Sequence, residues 1–211
     1  MAVNDKKNLV AYSSVSHIGY CLLGMSAFTP EAMNGAMLQM FNHGTATDMM
    51  FLLVGVIYDR VHHRVMKTPE GTPGFGGIAS IMPRYTGVFI VATFASLGVP
   101  GLSGFISEAL VFLGAFKVYP EDTAIAAVGV LITAAYLLWM VQRVFLGPVT
   151  VRAYSHDSHG FSPWKAVSDM NLRETLTLAP LVVIVVVVGI YPAPVLNMIT
   201  ASMNHLLTVV R

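Results

Sequence analysis

Five long apolar stretches dominate this sequence, and each is near the roughly 20 residues that a helix needs to cross a lipid bilayer. Only 11% of the 211 residues are charged, whereas soluble domains carry roughly 25%. The pattern predicts an all-α polytopic membrane bundle of about five transmembrane helices, with residues 1–192 forming the membrane domain. The predicted spans are residues 9–28, 32–58, 85–116, 123–145 and 175–191.

Charge and cysteine content exclude several other classes of protein. A single cysteine, Cys21, rules out an intramolecular disulfide and any metal cluster built on cysteine. A net charge of +1 leaves no basic patch for nucleic acid. The first apolar stretch is interrupted by Ser13, Ser14, Ser16 and His17, so we interpret it as a span and not as a signal peptide.

The 12 lysines and arginines are distributed unevenly when the chain is laid out as five crossings. Only Lys117 and Arg211 fall on one side, and the others fall on the opposite side: Lys6, Lys7, Arg60, Arg64, Lys67, Arg84, Arg143, Arg152, Lys165 and Arg173. Because basic residues concentrate on the cytoplasmic side, the amino terminus is predicted to be cytoplasmic and the carboxyl terminus to lie across the membrane.

The last segment, residues 193–211, follows the sequence YPAP and has its own pattern. Its apolar residues recur at helical spacing, which predicts an amphipathic helix resting on the membrane, with a frayed tail as the alternative. These apolar residues are Val195, Leu196, Ile199, Met203, Leu206, Leu207 and Val210.

The first two spans carry more polarity than lipid-facing helices tolerate. Steps of three and four residues place Ser13, Ser16, His17, Tyr20 and Gly24 on one stripe, while Gln39, Asn42 and His43 share a face of the second span. We expect Asn34, Thr45, Thr47 and Asp48 on other faces of that span. A carboxylate near a helix centre costs about 2.5 to 3.5 kcal/mol, so Asp48 is expected to have a role.

Two histidines at mid-membrane depth, His17 and His43, are surrounded by hydroxyl and amide side chains. A single membrane histidine most often only hydrogen-bonds a neighbouring helix. Two such residues among groups that order water favour a proton path, because an imidazole accepts a proton on one nitrogen and releases one from the other. Ser13, Ser16, Tyr20, Gln39 and Asn42 are the predicted supporting polar groups.

The third stretch is too long for one straight crossing, and its middle reads GVPGLSG. Pro100 lacks a backbone donor, and Gly98, Gly101 and Gly104 have low helix propensity, so the helix is predicted to break there. The alternative is a simple proline kink. Unwound backbone in a membrane requires protein or water to satisfy it, and transporters commonly place ion sites at such breaks.

Glu108 follows this predicted break, in the first turns of the second half-helix. Burial favours the neutral acid, whereas a helix N-terminus favours the anion by only about 0.3 to 1 kcal/mol. We therefore predict a carboxyl that loads and releases protons. The alternative is a fixed ion pair with a lysine from elsewhere.

Other chemistry-bearing motifs are weaker. His62 and His63 are interpreted as solvated loop residues, and His156 and His159, with Asp157 between them, as at most a loose metal site. The string GFGGIA formally matches a dinucleotide fingerprint, but no strand precedes it. No metal or cofactor site is predicted in this chain.

Four motifs together carry a family resemblance: DKKNLVAYSSVSHIGY, QMFNHG, FLLVGVIYDRVHHR and PGLSGFISEALVFLGAF. In order and spacing they resemble the second half of the M-subunit (chain 4) family of proton-pumping NADH-quinone oxidoreductase, respiratory complex I. This antiporter-like family includes the D subunit of Mrp-type sodium/proton antiporters. The likeness extends to YPAP and covers nearly the whole chain.

The resemblance assigns roles residue by residue. The histidine that the family places on its central proton path falls on His17, that of the QM..HG motif falls on His43, and the carboxylate of the broken helix falls on Glu108. Lys7 matches the lysine entering the first span, which we interpret as an interfacial anchor. Asp48 departs from the family, which usually has a small apolar residue there.

The resemblance further implies a membrane-arm subunit that moves protons when quinone is reduced elsewhere, in a bacterial inner membrane. NAD, FMN, iron-sulfur clusters and quinone would bind in partner subunits. An upstream half with its own membrane lysines and glutamate would be a further partner, without which this chain is not expected to pump. The alternatives are a sodium/proton antiporter subunit of the Mrp type and a truncated, non-pumping structural fragment.

Overall fold

The computed structural model describes residues 5–62, 75–150, 154–155, 160–161 and 167–210. The fold is helical, as predicted, and resembles a bundle built around one central helix. Its helices are α1 (Lys6–Ala27), α2 (Pro30–Val61), α3 (Ile78–Ile81), α4 (Pro83–Ser96), α5 (Ser103–Phe116), α6 (Pro120–Phe145), α7 (Leu172–Ile190) and α8 (Ala193–Val210).

Capping residues extend the first two helices beyond their apolar stretches. Helix α1 begins one residue after Asp5, whose carboxylate accepts a hydrogen bond from the Lys7 backbone N–H at 2.8 Å. Thr29 caps α2, and Pro30 occupies its first turn, where the missing N–H costs nothing. The two helices end at Phe28 and His62, which adopt left-handed backbone angles.

The third apolar stretch is interrupted, as the glycines and proline predicted. Helix α4 ends at Ser96, and α5 begins at Ser103 after six non-helical residues. The short helix α3 precedes α4, which starts at Pro83 and so two residues earlier than the predicted span. The break is partly exposed at Pro100 and Gly101, whereas α5, which follows it, packs closely against α2.

Helix α2 is the centre of the bundle and packs against α1, α4, α5, α7 and α8. Its apolar face supplies fully buried side chains such as Met49, Leu53 and Ile57, which join the aromatic rings of Tyr85 and Phe89 from α4. This core fixes the relative positions of α2 and α4. It therefore holds α4, and with it the start of the break, in place beside α2.

A short antiparallel hairpin departs from the helical expectation. Tyr154–Ser155 pairs with Gly160–Phe161. Two-residue strands are too short to produce the alternating hydrophobic pattern by which strands are predicted from sequence.

Two of the described helices, α6 and α7, are both long and apolar enough to cross a membrane, and α5 is apolar but has only 14 residues. Large apolar side chains on α6 remain exposed, among them Ile125 at 72% and Leu131 at 69%. Helix α8 packs against α2 and buries Leu207, while Met198 and Val209 stay exposed. An outer surface of this kind suits a hydrocarbon environment.

The ends of α2, α4 and α7 are tied together by Arg60 and Asp169. The Arg60 guanidinium donates to both carboxylate oxygens of Glu174, at 2.9 and 2.8 Å, and to the Ser168 carbonyl at 2.8 Å. Asp169 accepts the backbone N–H groups of Arg84 and Tyr85, at 3.0 and 3.1 Å, and so caps α4. Charge-assisted bonds of this type are stronger than neutral ones.

Asp169 makes this junction sensitive to acid. Burial alone raises the pKa of its carboxyl, but backbone N–H groups, Arg84's first among them, hold the pKa below its ordinary value of 3.8. The cap therefore stabilises the fold above that value and is lost as the pH falls through the lowered pKa. We expect Asp169→Ala to cost about 1 kcal/mol at neutral pH.

Asp169→Asn is the matched variant, because its single amide oxygen keeps one of the two cap bonds to α4 and does not titrate. Between about pH 5 and about pH 3, the melting temperature of the wild type should fall more steeply than that of Asp169→Asn. If the melting temperatures of the two proteins fall equally with pH over this range, Asp169 is not an acid-sensitive cap.

Candidate functional site

A cluster of buried polar side chains lies where α1, α2 and α5 meet, beside the break. We call it the polar centre, and its members are His17, Gln39, Asn42, Ser107 and Glu108. Their exposures range from 0% for Ser107 to 7% for Glu108. Buried polar groups of this kind must be paired with one another or with water.

Gln39 connects α1 to α5 across the polar centre. Its Nε2 donates to His17 Nδ1 at 3.0 Å, and its Oε1 accepts from the Ser107 hydroxyl. Asn42 Nδ2 donates to Ser107 Oγ at 3.1 Å and to the Ser103 carbonyl at 2.7 Å. Because His17 Nδ1 accepts in this arrangement, a neutral His17 carries its proton on Nε2.

Glu108 lies next to the same imidazole nitrogen. Its Oε1 is 3.6 Å from His17 Nδ1, within ion-pair range but longer than a hydrogen bond. If Nδ1 takes up a proton, the Gln39 amide can no longer donate to it, and Glu108 becomes the available acceptor. In the described part of this chain, no lysine or arginine lies within ion-pair distance of Glu108.

His43 stacks on His17, with ring centroids 4.7 Å apart and an interplanar angle of 29°. Its Nε2 lies 3.0 Å from Ser14 Oγ, and its Nδ1 lies 3.2 Å from Thr47 Oγ1. Both ring nitrogens therefore face hydroxyl groups, which donate or accept as the tautomer requires. His43 is half-buried. The two imidazoles thus form a continuous pair that leads from the half-buried His43 to the buried carboxyl.

A small cavity of about 10 Å³ adjoins both rings and the end of α4. That volume is close to the minimum for one water molecule, which also needs polar partners. His17 Nε2 and Asn42 Oδ1, on residues that line the cavity, are buried and have no hydrogen-bond partner among the described residues. The polar centre is therefore suited to hold one water that relays a proton.

The break shapes the space around Glu108. Gly98 and Gly101 have φ angles of +65° and +94°, values that only glycine adopts readily. A Cβ on Gly98 would collide with the Glu108 carboxyl, so the glycine permits the close approach of the two half-helices. Gly104 in the first turn of α5 lies directly against the Ala95 carbonyl, and Pro100 lies in the turn between them.

Asp48 and Lys7 lie away from the polar centre. Asp48 is exposed and lines a groove of about 870 Å³ between α2 and α7, together with Asp59, Arg173 and Glu174. Lys7 is exposed at the start of α1. Neither lies in the cavity between the histidines.

Ser13, Ser16 and Tyr20 have different partners from those of the polar centre. Ser13 donates to the Val10 carbonyl at 2.7 Å, within its own helix. Ser16 and Tyr20 face α6, where Ser16 Oγ lies 3.2 Å from the Thr133 hydroxyl. The stripe on α1 therefore divides, with His17 directed to α2 and α5 and these hydroxyls directed to α6.

Thr47 was predicted to lie on a different face of α2 from His43, and this prediction is wrong. Thr47 lies one turn after His43 and contacts its ring, because residues four apart share a helix face. The predicted site residues did not include Ser14, Ser103, Ser107 or Thr133. Ser103 and Ser107 are also four apart and Ser107 adjoins Glu108, a pattern that would have indicated them.

No group of three or more His, Cys, Asp or Glu side chains suited to a metal ion occurs among the residues that the structure describes. His62 lies at the end of α2. His63, His156, Asp157 and His159 lie outside the described residues.

Comparison with known proteins identifies relatives along nearly the whole chain. Residues 1–133 match the transmembrane family described as NADH:quinone oxidoreductase/Mrp antiporter. NADH-quinone oxidoreductase subunit M of Rhodobacter capsulatus is 39% identical over 98% of this chain and 37% of its own length. NADH-ubiquinone oxidoreductase chain 4 of Chondrus crispus is 34% identical over 98% of this chain and 39% of its own length.

Solved structures give the same fold. A chain of respiratory complex I from Thermus thermophilus superimposes with a TM-score of 0.79 at 30% identity, covering 98% of this chain and 40% of that one. A chain of the Mrp complex from Dietzia sp. DQ12-45-1b has a TM-score of 0.82 at 19% identity, over 96% and 43% of the two chains. This chain thus spans about two fifths of the length of the relatives it matches.

Proposed function

This chain belongs to the transmembrane family of NADH:quinone oxidoreductases and Mrp antiporters, and on that premise we propose that it is part of the membrane arm of a proton-pumping NADH-quinone oxidoreductase. In this role it translocates protons across the membrane when electron transfer to quinone occurs in partner subunits. The redox chemistry with NAD, FMN, iron-sulfur clusters and quinone belongs to those partners. The chain itself supplies titratable side chains.

The observation that carries this proposal is the buried arrangement of His43, His17 and Glu108. A proton arriving at His43 reaches His17 through the water-sized cavity next to Nε2 and passes to Glu108, which is 3.6 Å from His17 Nδ1. This direction requires Gln39 to turn its amide, so that its oxygen accepts from a protonated Nδ1 and Nε2 is free to take up the next proton. Each member takes up one proton and releases one. A change of electrostatic potential in the membrane arm then moves the proton on, because a buried charge without a compensating cation responds strongly to its surroundings.

The topology that we propose has five membrane crossings: α1, α2, the broken pair α4 and α5, α6, and α7. The amino terminus is cytoplasmic, and α8 with residues 193–211 lies at the opposite surface of a bacterial inner membrane. The unequal distribution of basic residues supports this orientation. The exposed apolar surfaces of α6 and α7 support the lipid contact.

The remaining partners that we propose are an upstream half of the same subunit and other membrane subunits of the complex. The coverage of relatives by about two fifths of their length supports the first. Complementing this chain with an upstream half, supplied as a separate polypeptide, should restore pumping that neither part performs alone. Restored assembly without restored pumping would instead support the alternative of a structural, non-pumping fragment.

A subunit of a sodium/proton antiporter is the second candidate, favoured by the fold likeness to the Mrp complex. Purification through a tag on this chain distinguishes the two. We expect flavin-containing and iron-sulfur subunits to copurify, and membrane vesicles to acidify when NADH is supplied. Isolation without redox subunits, together with sodium transport driven by a proton gradient, would contradict the proposal in favour of the antiporter.

A further inference from the structure

A second group of buried hydroxyls lies between α1 and α6, beside the polar centre. We call it the hydroxyl row, and its members are Ser13, Ser16, Tyr20, Thr133 and Tyr136. Ser13, Tyr20 and Thr133 are only 1%, 4% and 3% exposed. Apart from Thr133 and Tyr136, the middle of α6 between residues 126 and 141 is entirely apolar. Both of its polar residues belong to this row.

Ser16, Tyr20 and Thr133 are joined by one contact within α1 and one between α1 and α6. The Ser16 hydroxyl donates to Tyr20 OH at 3.2 Å and also lies 3.2 Å from Thr133 Oγ1. Tyr20 OH reaches α6 opposite Gly129, where a Cβ would lie 3.3 Å from this oxygen. The small residue on α6 thus leaves space for the tyrosine hydroxyl.

Thr133 behaves differently from threonines elsewhere in the bundle. Helical threonines usually donate to the carbonyl one turn earlier, as Thr86, Thr93 and Thr123 do at 2.8, 2.8 and 2.6 Å. Thr133 instead pairs with Ser16 of another helix. Its hydroxyl therefore serves the contact between α1 and α6.

The hydroxyl row is not fully hydrogen-bonded, because Tyr136 OH lacks a well-aligned partner in the described part of the chain. This oxygen is buried and lies near the Ser13 and Thr133 hydroxyls, but none of the described residues makes a hydrogen bond of good geometry with it. An unpaired buried hydroxyl costs about 1 to 3 kcal/mol unless water satisfies it. If these hydroxyls only held α1 and α6 together, a hydrogen bond to Tyr136 OH would make the fold more stable. The unpaired oxygen indicates a place for water.

The row begins at the polar centre. The Tyr20 ring meets the His17 ring edge-on, with centroids 5.9 Å apart. From Tyr20 to Ser13 the row follows seven residues of α1, about 10 Å along the helix axis. It therefore runs along α1 from Tyr20, past the level of His17, toward the amino-terminal end of the helix.

We propose that the hydroxyl row, together with water at Tyr136, is a second proton-conducting branch that connects the polar centre to the side of α6 and does not pass through His43. This inference rests on the proposed function, because it adds a route to the same proton-transfer site. Each hydroxyl accepts one proton on its oxygen and passes its own proton to the next oxygen or water. No bond other than O–H is formed or broken, and no redox partner is required.

Thr133→Val, made in the complete complex in membrane vesicles, is the direct test, since valine keeps the shape and removes the hydroxyl. We expect NADH-driven proton translocation per electron to fall about threefold. This loss is smaller than that expected for a proton-transfer group on a path without a parallel branch. Thr133→Ser should restore it, because serine keeps the hydroxyl. Tyr136→Phe should lower it in the same way.

Thr93→Val is the matched control, because Thr93 is fully buried and donates only within its own helix. It should pump like the wild type. Proton translocation by Thr133→Val at the wild-type level would overturn the branch. Equal losses in Thr133→Val and Thr133→Ser would also overturn it, because they would indicate an effect of packing only.

Glu108→Gln in the same preparations distinguishes failure of the branch from failure of the proposed function. Normal proton translocation by Glu108→Gln would refute the proposed function. If Glu108→Gln loses proton translocation while Thr133→Val keeps it, only the branch is refuted.

Discussion

Glu108→Gln is expected to lower proton translocation through this subunit by about a hundredfold, the lower end of what a positioned proton-transfer group contributes. The amide has nearly the same size as the carboxyl but does not exchange a proton at neutral pH. Glu108 lies 3.6 Å from His17 Nδ1, and no lysine or arginine of the described ranges is placed to take over its role. The loss should therefore arise from the chemistry of the residue and not from its packing.

The measurement is NADH-driven acidification of vesicles that carry the whole complex, together with the rate of NADH oxidation. Glu108→Asp should be milder, because it keeps a titratable carboxyl about one methylene farther from the imidazole. Glu31→Gln is the control, since Glu31 is an exposed carboxylate paired with Lys117 at 2.7 Å, remote from the polar centre. Normal acidification by Glu108→Gln would remove Glu108 from the proton path.

Gly104→Ala is expected to have the second large effect, because the added methyl group would press on backbone. A Cβ at this position meets the Ala95 carbonyl oxygen at the end of α4. Backbone does not rotate away as a flexible side chain does, so α5 must shift relative to α4. Overpacking of this kind typically costs 1 to 3 kcal/mol. The shift also moves Glu108, one turn farther along α5.

We therefore expect Gly104→Ala to lower both the melting temperature of the purified complex and its proton translocation. Gly87→Ala is the matched control on α4, where no heavy atom lies within 4 Å of the added Cβ. In a helix this change should be neutral or stabilising by about 0.5 to 1 kcal/mol. If both alanine variants melt and pump alike, the close contact at the break has no functional importance.

The sequence predicted the helices and the interruption because these depend on local properties. Apolar length, together with Gly98, Pro100 and Gly101, was enough to indicate a break, and helical periodicity placed Ser13, His17 and Tyr20 on one stripe. Helix ends were less accurate, since they depend on caps. Asn171 and Glu174 form a capping box that starts α7 at Leu172, before the predicted span.

Partners across helices were beyond the sequence, because periodicity gives a face but not the neighbour that it meets. Nothing in the spacing indicates that Gln39 joins His17 to Ser107, or that Ser16 meets Thr133 from a helix 117 residues away. Asp48 illustrates the same limit. Its cost in lipid predicted a role without indicating where, and in the structure it faces the groove between α2 and α7. Only the packing of α2 among five helices decides these contacts.

Glu108 must exchange its proton during turnover if it lies on the proton path, and infrared difference spectroscopy of the complex tests this most directly. When NADH is added, we predict a change in the carboxyl C=O stretching band, with the shift in D₂O that a protonated carboxyl shows. This change should be absent from Glu108→Gln and retained in Glu31→Gln. An identical carboxyl difference signal in wild type and Glu108→Gln would contradict the claim that this residue carries the proton.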